Sequence, residues 1–438
     1  MTPTDPMWGR VFMGDTLAFH ILFAMFGVGI PLMVSLAELL GIARRDAAYV
    51  DMARRWTFTM AVFFVSGAVS GTVVAVAMTV LWPGFMAFIG RVVALPFALE
   101  ITAFFLEAIF LGVYAYTWDA WKGRWTHWLT SLPVVLGSLA SAFFITTVNA
   151  FMNTPAGFTL SSGAITKVNQ VAAMLNPATP TETIHSILSY YAATALFFGA
   201  VAAIMLLARR NGGPSDEKKA YARKMLVFSL AFGLLFSVLV GVSGSSSAQF
   251  IAQHEAEKFA AAEGVFTTGP DMSLAIGGIV SGRSLAGAVN VPELLSVLTG
   301  GSTATVIMGL DRFDPSTWPP LVVHYFFDLM AAIGIAMVAV PVIFFALQLA
   351  KRRAAFSRAM LWIVFATGML PVVAVESGWL VTELGRQPYI IRNVMLVRDA
   401  YTTAQGVPFW SIAFPIFYLV LAVMTMWVIT KHYRKYPL

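Results

Sequence analysis

The chain has 438 residues, of which 58% are hydrophobic and only 11% charged, with a net charge of +6 and no cysteine. Soluble domains carry about a quarter charged residues, so this composition excludes an ordinary soluble enzyme. The lack of cysteine excludes disulfides, iron–sulfur clusters, thiolate metal sites and covalently attached c-type haem. Several apolar runs are longer than the roughly 18 residues a helix needs to cross a bilayer. They are continuous and do not alternate, which argues against a β-barrel.

In chain order the first apolar run, 16–39, follows Arg10 and Asp15 and is long enough to span, so it does not read as a cleavable signal. It carries His20 about one turn from its start. Spans two and three follow at 56–82 and 95–117, and the third holds Glu100 and Glu107, which share one helix face. The fourth, 128–150, carries Ser141, and the fifth, 184–208, opens at His185. A charged loop, RRNGGPSDEKKAYA (209–222), leads to the sixth span at 223–245.

Residues 246–318 are too many for a plain connection, and loops of that length are functional or disordered. This segment begins with a helix-forming stretch, SSAQFIAQHEAEKFAAAEG, and becomes Gly-rich. The last three spans are 319–350, 357–379 and 408–430. His324, Asp328 and Met330 lie in the outer half of the seventh. The eighth runs into ESGWLVTELGRQPYIIR (376–392), which places Glu376, Trp379, Glu383 and Arg386 at or just beyond its outer end. His127 and His432 fall in a basic loop and tail and read as solvated.

The loops after spans one, three, five and seven, with their flanking residues and the C-terminal tail, hold 19 of the 28 Lys and Arg. The positive-inside rule then puts the N-terminus outside and the C-terminus in the cytoplasm. Orientation in a membrane thus accounts for the positive charge without nucleic acid. The fold class expected is an all-α polytopic membrane protein with nine transmembrane helices. His20 and His185, near the outer ends of spans one and five, suggest two four-helix bundles plus one peripheral helix. Three regions follow: 1–245 with six spans, the extracytoplasmic loop 246–318, and 319–438 with three spans.

An ionisable side chain inside a bilayer costs several kcal/mol, so each one asks for a reason. Here they gather at one depth, in the outer part of five spans, where pore-lining residues would run the full depth. Two imidazoles, a thioether and several carboxylates at one level suit porphyrin iron. Each also has a plainer reading. A His at a helix end serves as an interfacial residue, a Met as core filler, and Trp379 and Tyr389 as aromatic-belt residues. The plainer reading of Glu376 is an ion pair with Arg386. A proton-coupled transporter is a further reading of intramembrane glutamates, although transporters place them at the midplane.

Several motifs together resemble subunit I of the cytochrome bd-type quinol oxidases: FHILF (19–23), LEITAFFLEAIFLGVYAYTWD (99–119), GSLASAFFITTVNAFMNTPAG (137–157), IHSILSYY (184–191), KFAAAEG (258–264), FDLMAAIG (327–334) and GWLVTELGRQP (378–388). The resemblance covers nearly the whole chain and implies oxidation of a membrane quinol coupled to reduction of dioxygen to water. It implies one low-spin haem b with His185 and Met330 as axial ligands, and two high-spin haems, one a haem b and the other a haem d or a second haem b. His20 would ligate one of these, with Glu100 beside it as a candidate second ligand, and Glu383 would ligate or approach the other. Trp379 and Arg386 would pack on the haem pair and its propionates. Glu107 with Ser141 would form a proton path, and Lys258, Glu263 and Arg10 would serve quinol oxidation.

The same resemblance implies a second large membrane subunit, subunit II, often a small single-span subunit, and a multi-pass place among the lipids of a bacterial or archaeal cytoplasmic membrane. Proton release and uptake on opposite faces would generate a proton motive force without pumping. A haem-containing membrane quinol dehydrogenase is the other enzymatic reading. The chain departs from the common pattern at Asp328, where many members carry an Arg. His324, four residues earlier on the same face, is expected to take over the donor role toward a propionate. Tyr389 replaces a frequent Trp, and the outside loop is of the short kind.

Overall fold

The computed structural model describes residues 6–121, 123–161, 164–208, 216–351, 353–402, 404 and 406–436. Among them are nine helices long and apolar enough to cross a membrane. The helices in chain order are α1 (Pro6–Arg44), α2 (Ala47–Leu81), α3 (Pro83–Val92), α4 (Ala94–Tyr116), α5 (Arg124–Leu129), α6 (Ser131–Asn153), α7 (Gln170–Met174), α8 (Thr179–Leu207), α9 (Asp216–His254), α10 (Ala256–Glu263), α11 (Leu294–Gly300), α12 (Val323–Leu349), α13 (Arg358–Leu384), α14 (Val397–Ala400) and α15 (Val407–Lys435). Every expected span has its helix. The fourth is built from α5 and α6, which meet at Thr130.

The helices overrun the apolar runs that announce them. Residues 216–222 of the expected charged loop already belong to α9, whose first turn carries Asp216 and Glu217, the charge a helix N-terminus favours. Residues 209–215 lie outside the described residues. At its other end α9 continues to His254, so the long loop starts later than its polarity suggests. Once propagation is under way each residue adds a hydrogen bond, so a helix does not stop where hydropathy falls.

Packing centres on α8, the most buried of the nine, and α15 is the least buried. Close approach depends on small residues, as in other membrane bundles. A Cβ on Gly368 of α13 would come within 2.4 Å of the Leu196 carbonyl oxygen of α8, and one on Gly29 of α1 would meet Thr194 Oγ1 at 1.9 Å. Trp56 of α2 stacks on Phe198 of α8, with ring centroids 4.0 Å apart. The turn between α1 and α2 is fixed by Asp46. One carboxylate oxygen caps α2 at Ala48 N–H and the other accepts from Lys224 of α9 at 2.5 Å. That Lys224 bond, foremost, holds the Asp46 carboxyl below its usual range.

The segment after α9 is packed rather than loose. The backbone breaks at Glu255, α10 follows, and Gly264 closes it in the left-handed region (φ +67°) with Leu285 lying directly on it. The Gly-rich stretch forms a nested hairpin. Strand β3 (Leu274–Ile276) pairs with β6 (Val289–Val291), and inside it β4 (Ile279–Ser281) pairs with β5 (Ser284–Ala286). Two more short pairs flank the helices: β1 (Thr159–Ser161) with β2 (Ala164–Thr166), and β7 (Tyr389–Ile391) with β8 (Met395–Leu396). Phe259, Ala260, Ala261 and Val265 bury against Leu295, Ile307 and Leu310, giving the segment its own small core.

Candidate functional site

Two histidines sit in matching surroundings. His20 of α1 has Nδ1 3.0 Å from Ser70 Oγ of α2, and a Cβ on the next residue, Gly71, would lie 3.1 Å from its Cε1. His185 of α8 has Nδ1 3.1 Å from Ser243 Oγ of α9, and a Cβ on Gly244 would lie 3.2 Å from its Cε1. In each case a Ser-Gly pair on the following helix orients the ring through one nitrogen. Among the described residues Nε2 has no hydrogen-bond partner in either ring, which is how a ligating imidazole is held from behind.

Met330 of α12 has the same kind of neighbour. A Cβ on Gly378 of α13 would stand 3.1 Å from its sulfur. One position on, Trp379 donates its indole N–H to Tyr190 of α8 at 3.0 Å. The plainer reading of Glu376, a pair with Arg386, is not what the structure has; its Oε1 has no partner among the described residues. Arg386 pairs with Glu383 instead, because α13 continues to Leu384 and puts the two on adjoining turns. The arginine is buried, and among the described residues its Nε and Nη1 have no acceptor.

From Glu383 a hydrogen-bonded chain runs to the long segment. Asn149 of α6 donates to Glu383 at 2.6 Å, and Asn153, one turn on, donates to Asn149 Oδ1 and to Glu182 of α8, each at 3.1 Å. Lys258 of α10 donates to Asn153 Oδ1 at 2.7 Å and to Glu255 at 2.6 Å. Its stem lies across Gly385, where a Cβ would meet the Lys258 Cε at 2.6 Å. Lys258 and Glu255 have side chains only 4% and 1% exposed. Breaking such a pair from one side strands a buried charge, at a cost of about 3–5 kcal/mol.

Glu263, at the other end of α10, lies apart from this chain, and no hydrogen bond joins it to Lys258. Burial, reinforced by the charge of Asp328, pushes its carboxyl up to about 8. Asp328 and His324 bond to the backbone of the long segment. Asp328 accepts the Gly277 N–H at 2.8 Å, and His324 Nδ1 faces the Ala262 carbonyl at 2.8 Å. Together they pin the hairpin and the end of α10 to α12. Arg10 is exposed and far in character from these buried groups.

On α4, Ser141 of α6 donates to Glu100 at 2.9 Å rather than to Glu107. Glu107 is buried against Gly137, where a Cβ would come within 2.9 Å of the Glu107 Cβ. Seven residues further along the same face, Tyr114 donates to Glu38 of α1 at 2.7 Å. Glu38 also meets His127 Nδ1 at 2.6 Å, and these two side chains are 0% and 1% exposed. The expectation that His127 is solvated is therefore wrong. α5 folds under the bundle and delivers it to a carboxylate hidden in an apolar run. His432 is half-buried and stacks on Phe58 with centroids 3.6 Å apart.

These residues fit haem. Among the described residues no three His, Asp or Glu side chains converge to hold a metal ion by themselves. Single imidazole, thioether and carboxylate donors suit an iron whose equatorial nitrogens come with the porphyrin. The glycines beside His20, His185 and Met330 let each donor side chain lie directly against a neighbouring helix, and among the described residues the N–H groups of Arg386 that lack an acceptor suit a propionate.

The family described as cytochrome bd terminal oxidase subunit I matches residues 8–437. The chain is 35% identical over 435 residues to a provisionally named cytochrome bd menaquinol oxidase subunit I of Bacillus subtilis (strain 168), covering 99% of this chain and 97% of that one. It is 27% identical to the cytochrome bd ubiquinol oxidase subunit 1 of the same organism, over 97% of this chain and 93% of that one. The solved structure of bd oxidase from Geobacillus thermodenitrificans superposes with a TM-score of 0.94 at 36% identity, covering 100% of both chains.

Proposed function

The chain belongs to the cytochrome bd terminal oxidase subunit I family, and from that premise we propose that it oxidises a membrane quinol and reduces dioxygen to water through one low-spin and two high-spin haems. The observation that carries this reading is the placement of His20, His185 and Met330, each beside a glycine on a neighbouring helix. His185 and Met330 would hold the low-spin haem b, His20 one high-spin haem with Glu100 near it, and Glu383 the other, a haem b or a haem d. When bound, haem supplies one-electron transfer and, at an open coordination position, a place for dioxygen. The repeated His–Ser–Gly arrangement supports two related four-helix units plus the peripheral α15.

The chain's own residues do the proton work. Glu263 takes a proton from quinol, Lys258 donates a hydrogen bond or charge, and Arg10 lies on the approach. Trp379 and Arg386 would pack against the haem pair and its propionates. Glu107, with Glu100 and Ser141, carries protons across the part of the bilayer that separates the oxygen site from the basic loops. With the N-terminus outside and the basic loops in the cytoplasm, protons are released outside and consumed from inside, so the cytoplasmic membrane is energised without a pump. In the three-part organisation, 246–318 is the quinol segment between the six-span and three-span regions. Subunit I of a bd oxidase implies a subunit II partner, and a small single-span subunit completes the proposal.

Oxygen uptake by the purified complex tests it. A short-chain quinol should be consumed with two quinols oxidised per oxygen molecule, and water as the product. Quinol oxidation without oxygen uptake would instead favour the quinol dehydrogenase reading.

A further inference from the structure

Quinol oxidation breaks two O–H bonds, gives up two electrons one at a time and leaves two protons to be taken up. Glu263 accounts for one acceptor. The network around Asn153 contains a second carboxylate that nothing so far employs. Asn153, the last residue of α6, holds two side chains on one carboxamide. Its oxygen accepts from Lys258 at 2.7 Å and its nitrogen donates to Glu182 Oε1 at 3.1 Å. Lys258 is already paired with Glu255. Two further charged groups act on Glu182, Arg386 and Glu383, and these two pair with each other.

The charge count is therefore uneven. Lys258 supplies one positive charge to Glu255 and Glu182. With all three ionised the trio carries one net negative charge, and a single proton neutralises it. Glu255 holds the ammonium directly. Among the described residues the one hydrogen bond made to the Glu182 side chain comes from a neutral carboxamide. Glu182 is thus the group with an unfilled place for a proton. It stands on the first turn of α8, at the end of the bundle that carries the long segment.

We propose that Glu182 is the second proton acceptor of quinol oxidation, positioned beside Lys258 by Asn153. The proposal rests on the quinol-oxidase reading above. One quinol hydroxyl proton passes to the Glu263 carboxylate and the other to the Glu182 carboxylate, while the two electrons leave one after the other, by way of the one-electron carrier that His185 and Met330 would hold. Both acids then release their protons on the same side.

The test uses the intact complex with Glu182→Gln and Glu182→Asp, driven by the naphthoquinol menadiol or by the one-electron donor tetramethyl-p-phenylenediamine. Glu182→Gln should lower menadiol oxidation about tenfold or more and remove one ionisation from its pH profile. Oxygen uptake with the one-electron donor and the haem spectrum should stay unchanged. The redox-difference infrared spectrum should lose a carboxyl C=O band that the unmodified complex shows. Glu182→Asp should retain activity with a displaced pH profile, and decides the matter if the Gln variant does not assemble. Unaltered menadiol rates, pH profile and infrared band in these variants overturn the proposal. An unmodified complex that accepts the one-electron donor but not menadiol overturns the quinol reading itself.

Discussion

Lys258 and Glu263 stand on one short helix and face different surroundings, the first bonded into the Asn153 network and the second beside Asp328. The second is the group whose protonation is most open to test. An acid pushed up to about 8 by burial accepts a proton only when ionised, so quinol oxidation should rise as pH rises through about 8. Glu263→Gln should lower the rate about a hundredfold and flatten that limb; a profile equal to that of the unmodified complex would contradict the role. The sign for stability is opposite. A raised carboxyl favours the folded state fully below the ordinary 4.5, and that contribution is lost as pH rises through about 8. The motif residues were legible because their types are costly inside a membrane. Glu38, Asn149, Asn153, Glu182 and Glu255 were not, since a carboxylate or amide near a helix end looks the same in sequence whether it meets water or a buried partner. The one signal for Glu38 is its place inside the first apolar run.

At the scale of elements, the paired helices α1–α2 and α8–α9 each present a histidine to a Ser-Gly step. Gly244→Val should push its side chain against the His185 ring and remove the low-spin haem signal. Gly241→Val, one turn earlier on α9 where a Cβ meets nothing within 4 Å, should leave that signal intact. Equal haem content in the two variants would show that the cradle is incidental. All nine spans were readable from apolar runs, because a bilayer admits few structures other than helices. Their ends were not, as α9 shows at both termini. The pairing of Arg386 with Glu383 rather than Glu376 follows from the same error, since the eighth span was ended before the turn that carries Glu383. Asp328 could not be assigned from its position alone: its partner, the Gly277 N–H, lies 51 residues away across the hairpin.

For the whole molecule, the polar groups divide between two ends. The Lys258–Asn153–Glu383 chain lies by the long segment, and the Glu38–His127–Tyr114 cluster lies near the basic loops. Glu100 and Glu107 occupy the α4 face between Tyr114 and the end where the site gathers. This division is what the proposed function requires, with one set of acids for proton release and another for uptake. The proposed function requires iron at the level of His20, His185 and Met330. The direct measurement is a dithionite-reduced minus air-oxidised absorption spectrum of the complex isolated from haem-replete cells. The account predicts haem bands that include a low-spin component, and a featureless difference spectrum would contradict it.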